Sequence, residues 1–233
     1  MKRLTVHAAQ VREAAALFDE RGVVVVKSLL PWDTVEGVAD FLNGKEADAM
    51  GQFALGSRLA AELLAIPRAL AKDAILHEIL GTDRLFLHMP PMARAVMPEA
   101  PHAAVPLHQD ASYNPHLRDF LTLWVPLVPI DDVCGGVAVY PMSHRTETIT
   151  GPPPANDWLP AIHPPEGAER VVLAPLRLGD VVILHPKVMH ESMRNRSGHV
   201  RLSCDYRFFG DGSTSAKHYW DLAEDRLVEP THV

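Results

Sequence analysis

The sequence predicts an α+β fold in which helices come first and short strands follow, and three observations support this. Several segments within residues 8–80 are predicted to be helical, beginning with residues 8–21, whose apolar positions recur at helical spacing. From Arg84 onward, apolar residues recur at every second position, which is typical of strands. Glycine and proline separate the segments. We therefore expect seven or eight strands in a sandwich or barrel, with the helices packed outside.

The predicted helices are delimited by glycine, proline and a capping pattern. A helix over residues 8–21 ends at Gly22, because glycine tolerates the left-handed conformation common after a helix. Asp33 and Glu36 have the spacing of a capping box, which predicts a second helix that runs to about Leu42. Two further helices, separated by a proline, are expected at residues 57–66 and 68–80.

The strands are predicted from short apolar or alternating segments. One short strand is expected among the helices, at residues 23–26, and the others after them, at 85–89, 92–97, 104–109, 120–127, 135–141, 169–174, 181–185 and 200–209. On the strand over 120–127, Thr122 and Trp124 share one face. Residues 142–168 are rich in proline and glycine and too long for a plain connection, which predicts a lid or binding loop. The tail is polar, with one helical turn expected near Tyr219.

Length and composition exclude several classes of protein. A length of 233 residues predicts a single domain over 1–233, and 47% hydrophobic and 22% charged residues are typical of globular chains. The formal net charge of −7 argues against a nucleic-acid partner. No apolar run is long enough for a membrane span, and residues 1–7 lack the core of a signal peptide. Cys134 and Cys204 form no zinc or disulfide pattern, so a cytoplasmic location is expected.

A histidine and a carboxylate lie two residues apart near the middle of the chain. Residues i and i+2 of a strand point to the same side, so His108 and Asp110 are expected to bind one metal ion together. His190 is the candidate for a third ligand, and His185 is the alternative because both histidines follow the same apolar strand. Two histidines and one carboxylate are the ligand set of non-haem Fe(II) oxygenases.

Further motifs surround this pair in a fixed order. They lie at residues 22–30, 106–110, 121–127, 135–145 and 179–185, the last continuing to His190, Glu191, Ser192, Asn195, Ser197 and Arg201. Together they resemble the phytanoyl-CoA dioxygenase family of iron and 2-oxoglutarate oxygenases. The resemblance implies a double-stranded β-helix, a jelly-roll or cupin-like barrel with the metal in its mouth. The turn at residues 141–144 departs from the family pattern, with Met142 in the place of a glycine.

The resemblance also implies the roles of individual residues. His108, Asp110 and His190 match the catalytic iron ligands, and Arg201 matches the arginine that binds the distal carboxylate of 2-oxoglutarate. Four residues are expected to line the cosubstrate pocket: Gln109, Trp124, Ser192 and, because it shares a strand face with Trp124, Thr122. A hairpin between the strands of His190 and Arg201 would bring the guanidinium beside the metal.

Other polar residues are candidates for contact with the substrate. Tyr113 and Asn114 follow the metal-binding segment, and His144 and Arg145 follow the strand at 135–141. Each has an ordinary alternative, as a turn or surface residue. Trp124 is equally consistent with a place in the core. Arg207 either binds the same carboxylate as Arg201 or pairs with an acid, and we favour pairing.

The sequence thus predicts an enzyme dependent on Fe(II), 2-oxoglutarate and O2 that hydroxylates a small molecule and releases succinate and CO2. A carboxylate at Asp110 argues against halogenation, which in related enzymes needs a small residue there. Two alternatives stay open, a metal-dependent isomerase, epimerase or lyase on the same barrel and a binding module without catalysis. No nucleic-acid or membrane partner is expected, and the sequence does not identify the substrate.

Overall fold

The computed structural model describes residues 4–100, 103–151 and 161–230. The helices of these ranges are α1 (Val11–Arg21), α2 (Trp32–Leu42), α3 (Leu55–Arg58), α4 (Ala65–Leu70) and α5 (Ala74–Leu80). The strands are β1 (Thr5–His7), β2 (Val23–Lys27), β3 (Leu85–His88), β4 (Met92–Val96), β5 (Phe120–Pro126), β6 (Val137–Tyr140), β7 (Val171–Val172), β8 (Val181–Leu184), β9 (Met189–Ser192), β10 (Arg201–Gly210), β11 (Tyr219–Asp221) and β12 (Arg226–Val228). Among the described helices, none has both the length and the apolar character required to cross a membrane.

Two sheets form the core of the structure. The large sheet has the order β1-β2-β8-β5-β10-β3-β11-β12, with β4 also paired to β10. Its strand pairs are antiparallel except for β1 and β2. The small antiparallel sheet has the order β7-β6-β9. Trp124 of β5 and Val137 of β6 belong to one buried apolar cluster, so the two sheets pack face to face. The prediction of a strand-rich core is therefore confirmed.

Strand β10 has one face toward the helices and the other toward the interior between the sheets. Tyr206 and Phe208 are fully buried in a cluster with Leu63 and Ile66. The Tyr206 hydroxyl also donates a hydrogen bond to the carbonyl of Leu63 (3.1 Å). Full burial of an apolar side chain such as Phe208, Leu63 or Ile66 contributes roughly 1.5–3 kcal/mol. The helices therefore pack outside the large sheet, as predicted, and the alternate residues of β10 are left to face the interior.

Three details of the helical region differ from prediction. Helix α2 begins at Trp32 after Pro31, and Asp33 lies in the first turn with no capping box. Pro67 does not break a helix, because it lies in the first turn of α4, where a missing N–H breaks no intrahelical bond. The break falls before α5, where the Asp73 side chain caps the helix by accepting from the Ile75 N–H (2.8 Å).

The predicted strand over 104–109 is wrong. This segment has irregular backbone, and among its residues only His108 forms a β-bridge, with His190. Pro106 lies within it and has no N–H for a strand ladder, which explains why an alternating sequence does not form a strand here. Asp110 instead begins a short 3-10 turn, Asp110–Ser112. The strand predicted over 169–174 is also shorter, since only Val171–Val172 pair with β6.

The predicted hairpin between the strands of His190 and Arg201 is also wrong. β9 pairs with β6 in the small sheet, whereas β10 pairs with β3, β4 and β5 in the large sheet. The chain therefore crosses from one sheet to the other between these two residues. The tail near Tyr219 forms strand β11 on the edge of β3 rather than a helical turn, and the Tyr219 ring packs against Phe86.

Candidate metal centre and cofactor cavity

A cavity of about 450 Å³ lies between the two sheets and is the centre of the candidate site. The inward face of β10 forms one wall, and residues of β4, β5, β9 and several connecting segments line much of the rest. Its lining includes His108, Asp110, Tyr113, Asn114, Thr122, Trp124, His190, Ser192 and Arg201. Nine of the predicted site residues therefore meet in one space.

The three predicted metal ligands converge at one end of this cavity. One ligand atom from each of His108, Asp110 and His190 lies within 4.8 Å of the others, and all three residues are buried. A pair of backbone hydrogen bonds joins His108 and His190, each N–H donating to the other's carbonyl at 3.0 Å. The two imidazole centroids are 4.1 Å apart. Backbone pairing across 82 positions thus fixes the distance between the two rings.

Hydrogen bonds orient both imidazoles for metal binding. His108 Nδ1 lies 2.7 Å from the carbonyl of Pro106, and His190 Nδ1 lies 3.0 Å from the carbonyl of Val188. A carbonyl only accepts, so each Nδ1 carries the proton and each Nε2 is left with a free lone pair. Such a partner on the second nitrogen is typical of metal-binding histidines. The donor set therefore fits a divalent metal ion.

The carboxylate of Asp110 is held from three sides. The Thr122 hydroxyl donates to Oδ2, and the Tyr113 hydroxyl donates to Oδ1. The guanidinium of Arg207 lies 3.6 Å from Oδ1. Asn114 fixes the backbone of the same turn, because its Nδ2 donates to the Asp110 carbonyl (2.8 Å). These contacts orient the carboxylate toward His108, whose Nε2 lies 3.5 Å from Oδ1.

The electrostatics of the centre favour the metal-binding protonation states of Asp110 and His190. Burial alone would raise the pKa of Asp110, but Arg207 and the two histidines outweigh burial and hold that pKa well below its usual range. Burial, followed by the nearby His108, lowers the pKa of His190 to about 4. Near neutral pH, Asp110 is therefore ionised and His190 is neutral.

The other end of the cavity holds the buried guanidinium of Arg201. Its Nη1 donates to the carbonyls of Gly135 (2.7 Å) and Met193 (2.8 Å), and its Nε has no hydrogen-bond partner among the described residues. No carboxylate of the described chain forms an ion pair with it. Burial lowers its pKa to about 10, so it stays charged at neutral pH. A buried cation without an anionic partner fits the carboxylate of a bound diacid.

Three predicted site residues lie outside this cavity. Gln109 is buried, but its amide donates to the Lys187 carbonyl (2.8 Å) and its oxygen accepts from the Ile149 N–H (2.9 Å). His144 and Arg145 turn toward α1, where they contact the carbonyls of Asp19 and Glu20. Gln109 therefore anchors neighbouring loops, and the other two brace α1 against the strands.

The alternative ligand His185 also lies apart from the metal centre. Its Nδ1 accepts a hydrogen bond from the Lys187 N–H (3.1 Å), and its ring packs near Phe18 and His144. Asp180, which follows a turn glycine, forms an ion pair with Lys27 (2.7 Å). The geometry therefore selects His190 over His185 as the third member of the cluster.

Several cavity residues were not predicted as site residues. They are Gln52, Arg58, His88, Arg94, Asp205 and Lys217. The alternation along β10 that brings Arg201 and Arg207 inward also brings Asp205 inward. Strand alternation could therefore have indicated Asp205 from the sequence, whereas the other five residues could be identified only from the folded chain.

Comparison with known proteins identifies the family. The profile described as Phytanoyl-CoA dioxygenase (PhyH) matches residues 18–203, which is more than half of the chain. The chain belongs to the phytanoyl-CoA dioxygenase family. It is therefore an iron- and 2-oxoglutarate-dependent oxidoreductase, and the resemblance seen in the sequence is confirmed.

Two curated relatives are hydroxylases from Streptomyces. The 1-deoxypentalenic acid 11-beta-hydroxylase of Streptomyces arenae is 30% identical, with 84% of this chain and 80% of that protein covered. The enzyme of the same name from Streptomyces exfoliatus is 35% identical over 46% of this chain and 41% of that protein. Hydroxylation is thus the reaction named for both relatives.

Solved structures show the same fold at low identity. The epimerase SnoN, in complex with Fe3+, alpha ketoglutarate and nogalamycin RO, aligns with a TM-score of 0.70 at 21% identity over 89% of this chain and 86% of that chain. The carbocyclase SnoK aligns with a TM-score of 0.65 at 18% identity over 98% and 96%. These neighbours carry out different reactions, so the fold alone does not fix the reaction.

Proposed function

We propose that this protein hydroxylates a small molecule, using Fe(II), 2-oxoglutarate and O2 and releasing succinate and CO2. One observation carries the proposal: three buried donor atoms converge in the cavity that also holds the unpaired guanidinium of Arg201. The hydroxylases among the relatives support this reaction. We further propose that the two facing sheets form the double-stranded β-helix of the family.

In this proposal the chain supplies orientation and a site shielded from water. His108, Asp110 and His190 would hold the iron, and Arg201 would hold the distal carboxylate of 2-oxoglutarate. When bound, iron and cosubstrate supply the oxidation of a C–H bond with O2. Because the Asp110 carboxylate takes up a metal position, it leaves no room there for a halide, which favours hydroxylation over halogenation.

Five further residues would complete the cosubstrate and substrate surfaces. Thr122 and Tyr113 would keep the Asp110 carboxylate directed at the metal, since both donate to it. Trp124 and Ser192 line the cavity that also contains the metal cluster and Arg201, and a five-carbon diacid would lie against them. Asn114 lines the cavity but is engaged by the Asp110 backbone, so we assign it to the shape of this wall.

Anaerobic titration with Fe(II) in the presence of 2-oxoglutarate tests the ligand set. The wild-type chain should develop the visible charge-transfer absorption of an Fe(II)–2-oxoglutarate complex, and Asp110→Ala and His190→Ala should not. His185→Ala is the matched control, because it removes a partly buried histidine outside the cluster and should leave the absorption intact. Equal absorption in wild type and Asp110→Ala would reject the assigned metal site.

Aerobic turnover then tests the reaction. Candidate small molecules should stimulate succinate release from 2-oxoglutarate, and the product should gain one oxygen atom by mass spectrometry. An epimerase would release succinate without that gain in mass, and a cyclase would give a product that has lost two hydrogen atoms. Either result would replace hydroxylation while leaving the iron and 2-oxoglutarate site in place.

A further inference from the structure

One acidic side chain in the cavity is not used by the proposed metal and cosubstrate sites. Asp205 lies on the inward face of β10 and lines the same cavity as the metal cluster. In the described parts of the chain, its carboxylate accepts no hydrogen bond and forms no ion pair within 4.0 Å. A buried or half-buried carboxylate without a donor is costly, so an unpaired one that faces a cavity indicates a missing ligand group.

The strand register places Asp205 midway along the inward face of β10, between β4 and β5. Its partner on β5 is Trp124, and its partner on β4 is Met92. The Met92 sulfur contacts the guanidinium of Arg58 (3.7 Å), so this side of the cavity extends toward α3. The cosubstrate is proposed to lie against Trp124 and Ser192, so we assign the other flank of Asp205, toward β4 and α3, to a substrate.

Basic side chains surround this carboxylate. On β4, Arg94 is paired with Ser203, two residues before Asp205 on β10. Its guanidinium donates hydrogen bonds to the carbonyls of Met50 (2.6 Å) and Ala103 (3.0 Å). Its other N–H groups have no partner within the described chain. Arg58, Arg207 and Lys217 also line the cavity, so basic side chains outnumber acidic ones in its lining.

This charge balance favours one kind of ligand. An additional cation, such as an amine of the substrate, would be repelled by four basic side chains and by a bound divalent metal ion. A neutral hydroxyl group can donate to Asp205 without adding positive charge. An anionic group of the same molecule would be attracted by Arg94 and Arg58.

We propose that Asp205 selects the substrate by accepting a hydrogen bond from a hydroxyl group of a small organic acid whose carboxylate binds Arg94 and Arg58. This proposal rests on the proposed function, since it assigns the substrate side of the same cavity. Burial raises the pKa of Asp205 to about 6, which is consistent with an acceptor that lacks a strong donor in the free protein.

The test uses full-length protein loaded with redox-inert Zn(II) and 2-oxoglutarate. The probes are matched pairs of monocyclic, bicyclic and tricyclic carboxylic acids that differ by one ring hydroxyl, beginning with cyclohexanecarboxylic acid and its hydroxylated isomers. Isothermal titration calorimetry gives a Kd for each member. We expect at least one hydroxylated acid to bind wild type about tenfold more tightly than its partner, the effect of one hydrogen bond to a charged group.

Variants at Asp205 separate recognition from structure. Asp205→Leu should reduce that preference to less than twofold, and the nearly isosteric Asp205→Asn, which retains one acceptor oxygen, should reduce it at least threefold. Glu191→Gln is the control, because Glu191 also lines the cavity but pairs with Arg170 (2.6 Å) and should keep the preference.

The outcomes distinguish this proposal from the proposed function. If wild type fails to bind Zn(II) and 2-oxoglutarate, the proposed function fails. If both bind but no pair shows a hydroxyl preference, including the case in which none of the acids binds, the role of Asp205 is overturned. A preference that persists unchanged in Asp205→Asn, or in a folded Asp205→Leu, overturns it as well.

Discussion

Thr122 and Asp110 are joined by a buried hydrogen bond from the Thr122 hydroxyl to Asp110 Oδ2. Thr122 lies on β5 of the large sheet, whereas Asp110 begins the 3-10 turn Asp110–Ser112. The bond therefore ties this short 3-10 turn to a fully buried strand that is paired on both sides. It leaves Oδ1 directed toward His108, its neighbour in the proposed metal cluster.

Replacing Thr122 with valine removes this donor at nearly constant volume. We expect Fe(II) affinity to fall about 10–100-fold, the usual cost of losing a partner of a metal ligand. Anaerobic Fe(II) titration at saturating 2-oxoglutarate measures this. Thr122→Ser retains the hydroxyl and should bind iron nearly as well as wild type. Equal affinities in the valine and serine variants would show that the hydroxyl does not orient the carboxylate.

Arg201→Met removes the buried guanidinium but retains an apolar stem. Hydrogen bonds to charged groups contribute about 1.5–3 kcal/mol, so the KM for 2-oxoglutarate should rise roughly 10–100-fold. Steady-state succinate release measures this. Arg194→Met is the control, since the Arg194 side chain is about half exposed and its guanidinium forms a surface ion pair with the carboxylate of Glu99 (3.5 Å). An unchanged KM in Arg201→Met would remove Arg201 from cosubstrate binding.

Much of the large sheet could be predicted because its strands carry local signals. The alternation over β5 predicts that Thr122 and Trp124 share a face, and both line the cavity. The sequence of β10 likewise predicts a strand, at residues 200–209. In contrast, β1 is too short for a pattern to stand out, and β11 forms only because the edge of β3 is available.

The sequence predicted most of the residues that line the cavity, but not the backbone structure that brings them together. His108 and Asp110 do lie side by side in the cavity, as their spacing predicts. However, an isolated β-bridge and a 3-10 turn position them, not a strand. The position of Arg201 depends on a crossing between sheets, which no local pattern encodes. Gln109 shows the same limit, because its neighbours in sequence face the cavity while its own side chain binds Lys187 and Ile149.

Gly135 supports Arg201 through its backbone. Its φ is +63°, a Cβ there would lie 2.6 Å from the Arg194 carbonyl, and its own carbonyl accepts from Arg201 (2.7 Å). Gly135→Ala should therefore cost about 1–2 kcal/mol for the left-handed backbone alone, and it should also weaken 2-oxoglutarate binding. Urea unfolding and the KM for 2-oxoglutarate measure the two effects. Gly198→Ala, with no atom near its added Cβ, should change neither; an unaltered KM in Gly135→Ala would contradict the supporting role.

The stability of the protein should fall in acid partly because of His185. Burial, followed by the nearby His144, lowers the pKa of His185 from 6.5 to about 4 in the folded chain. The unfolded chain therefore binds this proton first as the pH drops, so the free energy of unfolding decreases between pH 6.5 and 4 and is fully retained above that range.

An asparagine at position 185 isolates this contribution. His185→Asn keeps an acceptor for the Lys187 N–H but cannot be protonated, so its stability should depend less on pH than that of wild type. Each pKa unit corresponds to about 1.4 kcal/mol, and the effect of His185 will be smaller than the full shift because the ring is partly exposed. Urea unfolding of metal-free protein at pH 7 and pH 5 measures the difference. His7→Asn, at an exposed position of β1, should retain the wild-type dependence, and an equal loss of stability in His185→Asn would exclude His185 as a cause.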